Sequence, residues 1–191
     1  GGYPIAGTSD TQNPTGAGMR VEEPRIYFGE LATDYAIVGG PQDAAPGEYD
    51  TAQDRTYLYK GEGGVPIDNW FNRAVFAMQY GERNILFSGA IGEGSKIMYN
   101  RDPRDRVERI APWLTADGDP YPAVIDGRVK WIVDGYTTLD NFPYSQRTSL
   151  GEATSDSLSG VAQQQDSEIN YVRNSVKATV DAFDGTVDLY Q

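Results

Sequence analysis

Residues 117–138 read DGDPYPAVIDGRVKWIVDGYTT. Two runs rich in β-branched and aromatic residues, YPAVI and RVKWIVDGY, flank Asp126 and Gly127. Asp-Gly between such runs is the strongest short signal for a β-hairpin, because a type I′ turn needs positive φ at both central residues. The stretch therefore predicts two antiparallel strands. On this reading Asp126 is half of the turn, and Asp134 ends a strand before Gly135. Aspartates beside glycine or proline are ordinary turn formers, which leaves Asp117 and Asp119 as the pair with a chemical alternative.

The same dipeptide recurs at Asp184 and Gly185, between NSVKATVDAF and TVDLY, and predicts a second hairpin. Upstream, RIYFGEL (25–31) and DYAIVGG (34–40) have the short aromatic pattern of strands and are expected to neighbour each other. RTYLYK (55–60) reads as a third strand with Tyr57 and Tyr59 on one face.

Helices are expected between these strand groups. In DNWFNRAVFAMQYGE, Asp68 or Asn69 can cap a helix in which Phe71, Ala74, Val75 and Met78 follow i, i+3, i+4 and i+7, giving a wide apolar face. Further on, Asp102 can cap, Pro103 suits a first turn, and Val107, Ile110, Ala111 and Leu114 continue a helical stripe. The other face of that helix carries Arg104, Asp105, Arg106, Glu108 and Arg109. It reads as a solvated face with local ion pairs worth about 0.2–0.5 kcal/mol each.

The fold class that follows is α+β: an antiparallel, tyrosine-rich sheet with two Asp-Gly hairpins, and two or three helices within residues 68–114 packed on one side. Thirteen tyrosines and 22 glycines in 191 residues favour strands and tight turns over a helical bundle. Residues 1–24 read as an extended lead-in and 25–191 as one α+β domain, with a polar Ser/Gln-rich loop at 146–167.

Charge and composition narrow the function. A net charge of −12 gives no field for neutralising a phosphate backbone, so no nucleic-acid partner is expected. Cysteine and histidine are absent from the sequence, which removes thiol nucleophiles, histidine triads and the usual zinc ligands. No apolar run approaches the roughly 20 residues needed to span a bilayer, so this stretch is not expected to cross a membrane itself. SGAIGEGSK (88–96) resembles a phosphate loop only superficially: Ser95 precedes Lys96, the reverse of the order that chemistry needs, and a glycine turn is expected.

Two carboxylate readings remain. Asp117, Asp119, Asp134 and Asp140 are the nearest candidates for a hydrolase using a pair of acids about 5–10 Å apart. Asp117 and Asp119 are also the candidate metal ligands, spaced to turn oxygens toward one calcium ion, although the twelfth position of an EF-hand loop is Arg128 rather than an acid. No catalytic residue and no cofactor other than that calcium is assigned.

At RIYFGE, GGVPIDNWFNRAVFA, ILFSG, the block from Asn100 to Gln146, and INYVRNSVKATVDAFDGTVDLY, the chain resembles an uncharacterised family of large multi-pass bacterial membrane proteins of actinobacteria and cyanobacteria. The resemblance implies a fragment of the exported region that follows the membrane-spanning part, located at the cell membrane on its extracytoplasmic side. It carries over no activity and no functional residue. Together with the absence of His and Cys and the excess of Tyr, Gly and Ser on an acidic background, it leads to the expectation of a non-catalytic module for recognition or assembly at the cell envelope. Its partners would be other envelope or membrane proteins, or the missing part of its own chain. A carboxylate-dependent hydrolase of envelope glycans and a soluble gate or receptor domain of a transporter are the alternatives.

Overall fold

The computed structural model describes residues 21–41, 48–49, 56–151 and 167–191. In chain order its elements are β1 (Ala36–Val38), β2 (Glu48–Tyr49), β3 (Thr56–Tyr57), β4 (Val65–Pro66), α1 (Trp70–Tyr80), α2 (Arg83–Phe87) and β5 (Lys96–Met98). There follow α3 (Pro103–Ile110), β6 (Thr115–Ala116), β7 (Tyr121–Ile125), β8 (Arg128–Leu139), β9 (Thr148–Ser149), β10 (Glu168–Ile169), β11 (Tyr171–Asp181) and β12 (Val187–Tyr190). Most of the lead-in and most of the Ser/Gln-rich segment lie outside the described residues.

The architecture is α+β and, among the described residues, every pair of named strands is antiparallel; an isolated bridge between Glu23 and Arg128 is parallel. Among the described residues, the largest sheet runs β12-β11-β8, with β6 and β7 both pairing the far side of β8. The opening hairpin is there: Ile125 faces Arg128 across Asp126 (φ 51°) and Gly127 (φ 75°), the two positive φ angles a type I′ turn requires. The second hairpin differs in its turn. Its ladder stops at Val180–Val187 and the Asp181 amide donates to Thr186 O, so four residues bridge the strands and only Gly185 has positive φ. Ala182 and Phe183 leave the strand because they are needed in the core, where both are buried.

α3 lies over this sheet. Asp102 accepts from the amides of Arg104 and Asp105, Pro103 occupies the first turn, and Val107, Ala111 and Leu114 pack on Val133, Ala178 and Val180, whereas Ile110, expected in the same stripe, is 56% exposed. Arg104 and Glu108 make the expected i,i+4 pair at 3.4 Å. Arg106 does not belong to a solvated face. It donates to Gly185 O at 2.9 Å and its guanidinium stands 4.5 Å from the centre of the Phe28 ring, because its stem runs along the seam toward β12.

Asp134 is not the end of a strand. β8 continues through Gly135 to Leu139, and Gly135 is there because a Cβ at that position would stand 2.5 Å from Leu114 Cδ2. A bulge at Ser175, between the pairs Asn174–Tyr136 and Val176–Gly135, resets the register just where the strand passes under α3.

A second, smaller sheet of order β1-β5-β4 carries α1 and α2. RIYFGEL forms no strand beside β1, whose partner is β5. Instead the Tyr27 and Phe28 amides both donate to Ala182 O, at 2.7 and 2.9 Å, and their rings are plugs between the sheets. Tyr27, Tyr59 and Phe183 meet there with ring centres 4.9–5.5 Å apart, and Tyr57 packs against the same cluster as Tyr59. Beyond the two residues of β3, RTYLYK turns inward rather than extending a ladder.

Candidate interaction surface

Several large apolar side chains that the fold leaves exposed lie together on α1. The helix starts where Asn69, rather than Asp68, accepts from the Asn72 amide at 2.7 Å, and it stops at Gly81, whose φ of 67° is left-handed. One face is tied down. Arg73 donates to Ile67 O at 2.8 Å and to Ile91 O at 2.7 Å, and Asn72 donates to Pro66 O at 2.7 Å. Phe76 is buried among Ile67, Ile85 and Ile97, with Tyr99 edging its ring at 5.6 Å and Tyr80 one turn further on.

The stripe read from the periodicity, Phe71, Ala74, Val75 and Met78, is therefore the outward one. Phe71 is 70% exposed, Met78 83% and Val75 43%, with Trp70 beside them at 70%, whereas Phe76 is only 8% exposed. α1 has two apolar stripes, and a helical period finds either one without saying which is covered. The choice is made by Arg73 and Asn72, which find main-chain carbonyls only on the inner side. Arg73 is the only charged residue of α1, so the outer face carries no charge in a chain that is 23% charged. Counting charges along WFNRAVFAMQY is the signal that could have found this surface in the sequence.

Of the aspartates singled out from the sequence, Asp117 and Asp134 are neighbours in the sheet: the Asp117 amide donates to Asp134 O at 2.7 Å, and, after burial, both carboxylates raise the pKa of Tyr136 between them. Asp117 accepts the Asp119 amide at 3.0 Å through Oδ1 and the Tyr136 hydroxyl at 2.5 Å through Oδ2, so both of its oxygens are engaged. Burial, and then the Asp117 carboxylate, hold the Tyr136 hydroxyl well above the ordinary tyrosine range. Asp119 instead faces Glu30, whose carboxyl is pushed up by burial and then by the charges of Asp119 and Asp102. Asp134 is paired with Lys177 at 2.6 Å across the sheet. Among the described residues no group of three or more acidic side chains is placed to hold a metal ion.

A polar cleft of about 510 Å³ lies between Asp34, Tyr80, Glu82, Arg101, Asp102 and Asp105. Its central groups are committed to the fold. Arg101 donates to Tyr27 O at 2.6 Å and to Asp34 O at 3.2 Å, with burial lowering its pKa. Asp102 caps α3, and burial pushes its carboxyl up against the pull of the two amides. In the glycine-rich 88–96 segment, Ser95 Oγ accepts the Gly92 amide at 3.0 Å and Lys96 Nζ donates to Gly61 O at 2.9 Å. That is a closed turn, not an open cradle of amides.

Relatives are found in several actinobacteria. The chain is 63% identical over 193 residues to a UPF0182 protein of Saccharopolyspora erythraea, 59% over 198 residues to one of Rhodococcus opacus strain B4, and 53% over 197 residues to one of Mycobacterium bovis BCG. In each case the match covers 100% of this chain and 20% of the relative, so the chain spans about a fifth of the length of the curated relatives it matches. No solved structure matches it. With residues 1–191 all falling within the match, the chain belongs to the uncharacterised protein family UPF0182.

Proposed function

We propose that this chain is a non-catalytic module in the extracytoplasmic region of a membrane protein, serving in recognition or assembly at the cell envelope. The observation that carries the reading is the uncharged outer stripe of α1: Phe71, Ala74, Val75 and Met78, with Trp70. A contiguous apolar patch of this kind marks an interaction surface more often than it marks free solvent contact. Family membership supports the setting. No described helix is long and apolar enough to cross a membrane.

The test is chemical cross-linking of the full-length protein in native membranes, comparing wild type with Phe71→Ser combined with Met78→Gln. The expected result is loss of cross-links that map to α1 in the variant, with the rest of the pattern retained. An unchanged pattern would overturn the assembly reading. Release of sugars from envelope glycans that depends on Asp117 or Asp134 would replace it with the carboxylate hydrolase.

A further inference from the structure

We infer that the outer face of α1 is covered by another segment of the same polypeptide, drawn from the part of the protein outside residues 1–191; this rests on the assembly reading above and names its partner.

Three observations lead to this occupant. The first is the absence of charge. Permanently covered surfaces are more apolar than transient interfaces and resemble a domain core cut in half. α1 exposes Trp70, Phe71, Val75 and Met78, and its only charged side chain, Arg73, is spent on the carbonyls of Ile67 and Ile91. A helix apolar on both sides is an interior helix.

The second is the amount of chain left to do the covering. The relatives are about five times as long as this stretch, since it makes up 20% of each. A segment of the same polypeptide whose linker spans the gap meets α1 intramolecularly, and so needs less intrinsic affinity to cover it than a separate partner does.

The third is that the other two occupants fit poorly. Helices that lie on a lipid surface set Lys and Arg against the headgroups. α1 has no free cation, and the chain's net charge of −12 is repelled by anionic lipid. A second copy docking α1 on α1 would contribute one helix of 11 residues, about 16 Å long. One face of so short a helix buries far less than the roughly 1,600 Å² of a stable interface.

The experiment places a photo-reactive phenylalanine analogue at Phe71, and separately at Met78, in the full-length protein in native membranes, and maps the adducts by mass spectrometry. Both positions face away from the core of this stretch, so the analogue leaves that core intact and points into the proposed contact. The expected adduct lies within one polypeptide, joining α1 to a peptide outside residues 1–191. An adduct to lipid, to a second copy at twice the mass, or to a peptide within 1–191 would overturn the inference.

An adduct to a different protein would overturn it too, while leaving the assembly reading in place. As an independent readout, Met78→Cys in the full-length protein should be alkylated at least tenfold more slowly in the native state than after unfolding in urea. Equal rates, with no adduct, would overturn this inference and the assembly reading together.

Discussion

Arg128 Nη2 stands 3.0 Å from Asp181 Oδ1, and the same Asp181 oxygen accepts the amides of Phe183 and Asp184 at 2.9 and 3.2 Å. One carboxylate thus joins the start of β8 to the turn that ends β11, and holds Phe183 in the aromatic cluster. Asp181 is only 4% exposed. Removing it strands buried amides and an arginine that still keeps one partner, Asp184. Asp181→Ala should destabilise the chain by about 2–4 kcal/mol, read by urea denaturation. Asp181→Asn, which keeps an acceptor for the amides, should lose less; equal losses would mean that the charge on Arg128 is what matters.

Asp184 sets an acid limit. Burial raises its pKa, but bonds from Thr186 and from Arg128 outweigh burial and bring the folded value below the ordinary 3.8. A carboxylate with a depressed folded pKa stabilises the fold above its unfolded pKa, and that contribution is lost as pH falls through the folded value. Stability should therefore fall as pH drops below about 4. Asp184→Asn should flatten this limb, measured by thermal melts between pH 2 and 6; an unchanged slope would remove Asp184 from the account.

Gly135 and Leu114 form a packing pair with no slack. Any Cβ at 135 would meet Leu114 Cδ2 at 2.5 Å and Cγ at 2.8 Å, and Leu114 is itself buried under α3. Gly135→Ala should cost about 1–3 kcal/mol through overpacking. Combined with Leu114→Ala, which costs about 2–5 kcal/mol alone, the double variant should lose less than the sum. Strict additivity in chemical denaturation would show that the two residues do not share that space.

Calcium offers a direct check on the acidic opening stretch. With both Asp117 oxygens occupied by the Asp119 amide and the Tyr136 hydroxyl, millimolar calcium is expected to leave the melting temperature unchanged. A rise that disappears in Asp119→Asn would establish the pair as a calcium site after all.

The stretch from Tyr121 to Thr138 announced its own hairpin, and α3 announced its cap, its proline and, Ile110 apart, its inner stripe, because these are local effects. An Asp-Gly turn needs positive φ wherever it lies, and a capping carboxylate meets amides two and three residues away. Likewise the backward order of Ser95 and Lys96 was enough to expect a glycine turn. What lies between distant parts of the chain was not legible in this way. The aromatic residues of RIYFGEL carried a strand's composition, yet the amides of Tyr27 and Phe28 were accepted by Ala182 O, more than 150 residues away, and not by a neighbouring β1.

The sequence by itself determined an antiparallel α+β fold, its two hairpins, its caps and the family to which it belongs. Those depend on φ preferences, spacing and wording that any short window carries. Only the tertiary structure decided which stripe of α1 faces the core. Phe71-Ala74-Val75-Met78 and the stripe around Phe76 are both apolar, and the balance was tipped by Arg73 and Asn72 reaching carbonyls of Pro66, Ile67 and Ile91. A hydrogen bond to a carbonyl from another part of the chain exists only once the chain has folded, and so which of the two stripes is left over for a partner was decided only there, although the missing charge already marked the helix.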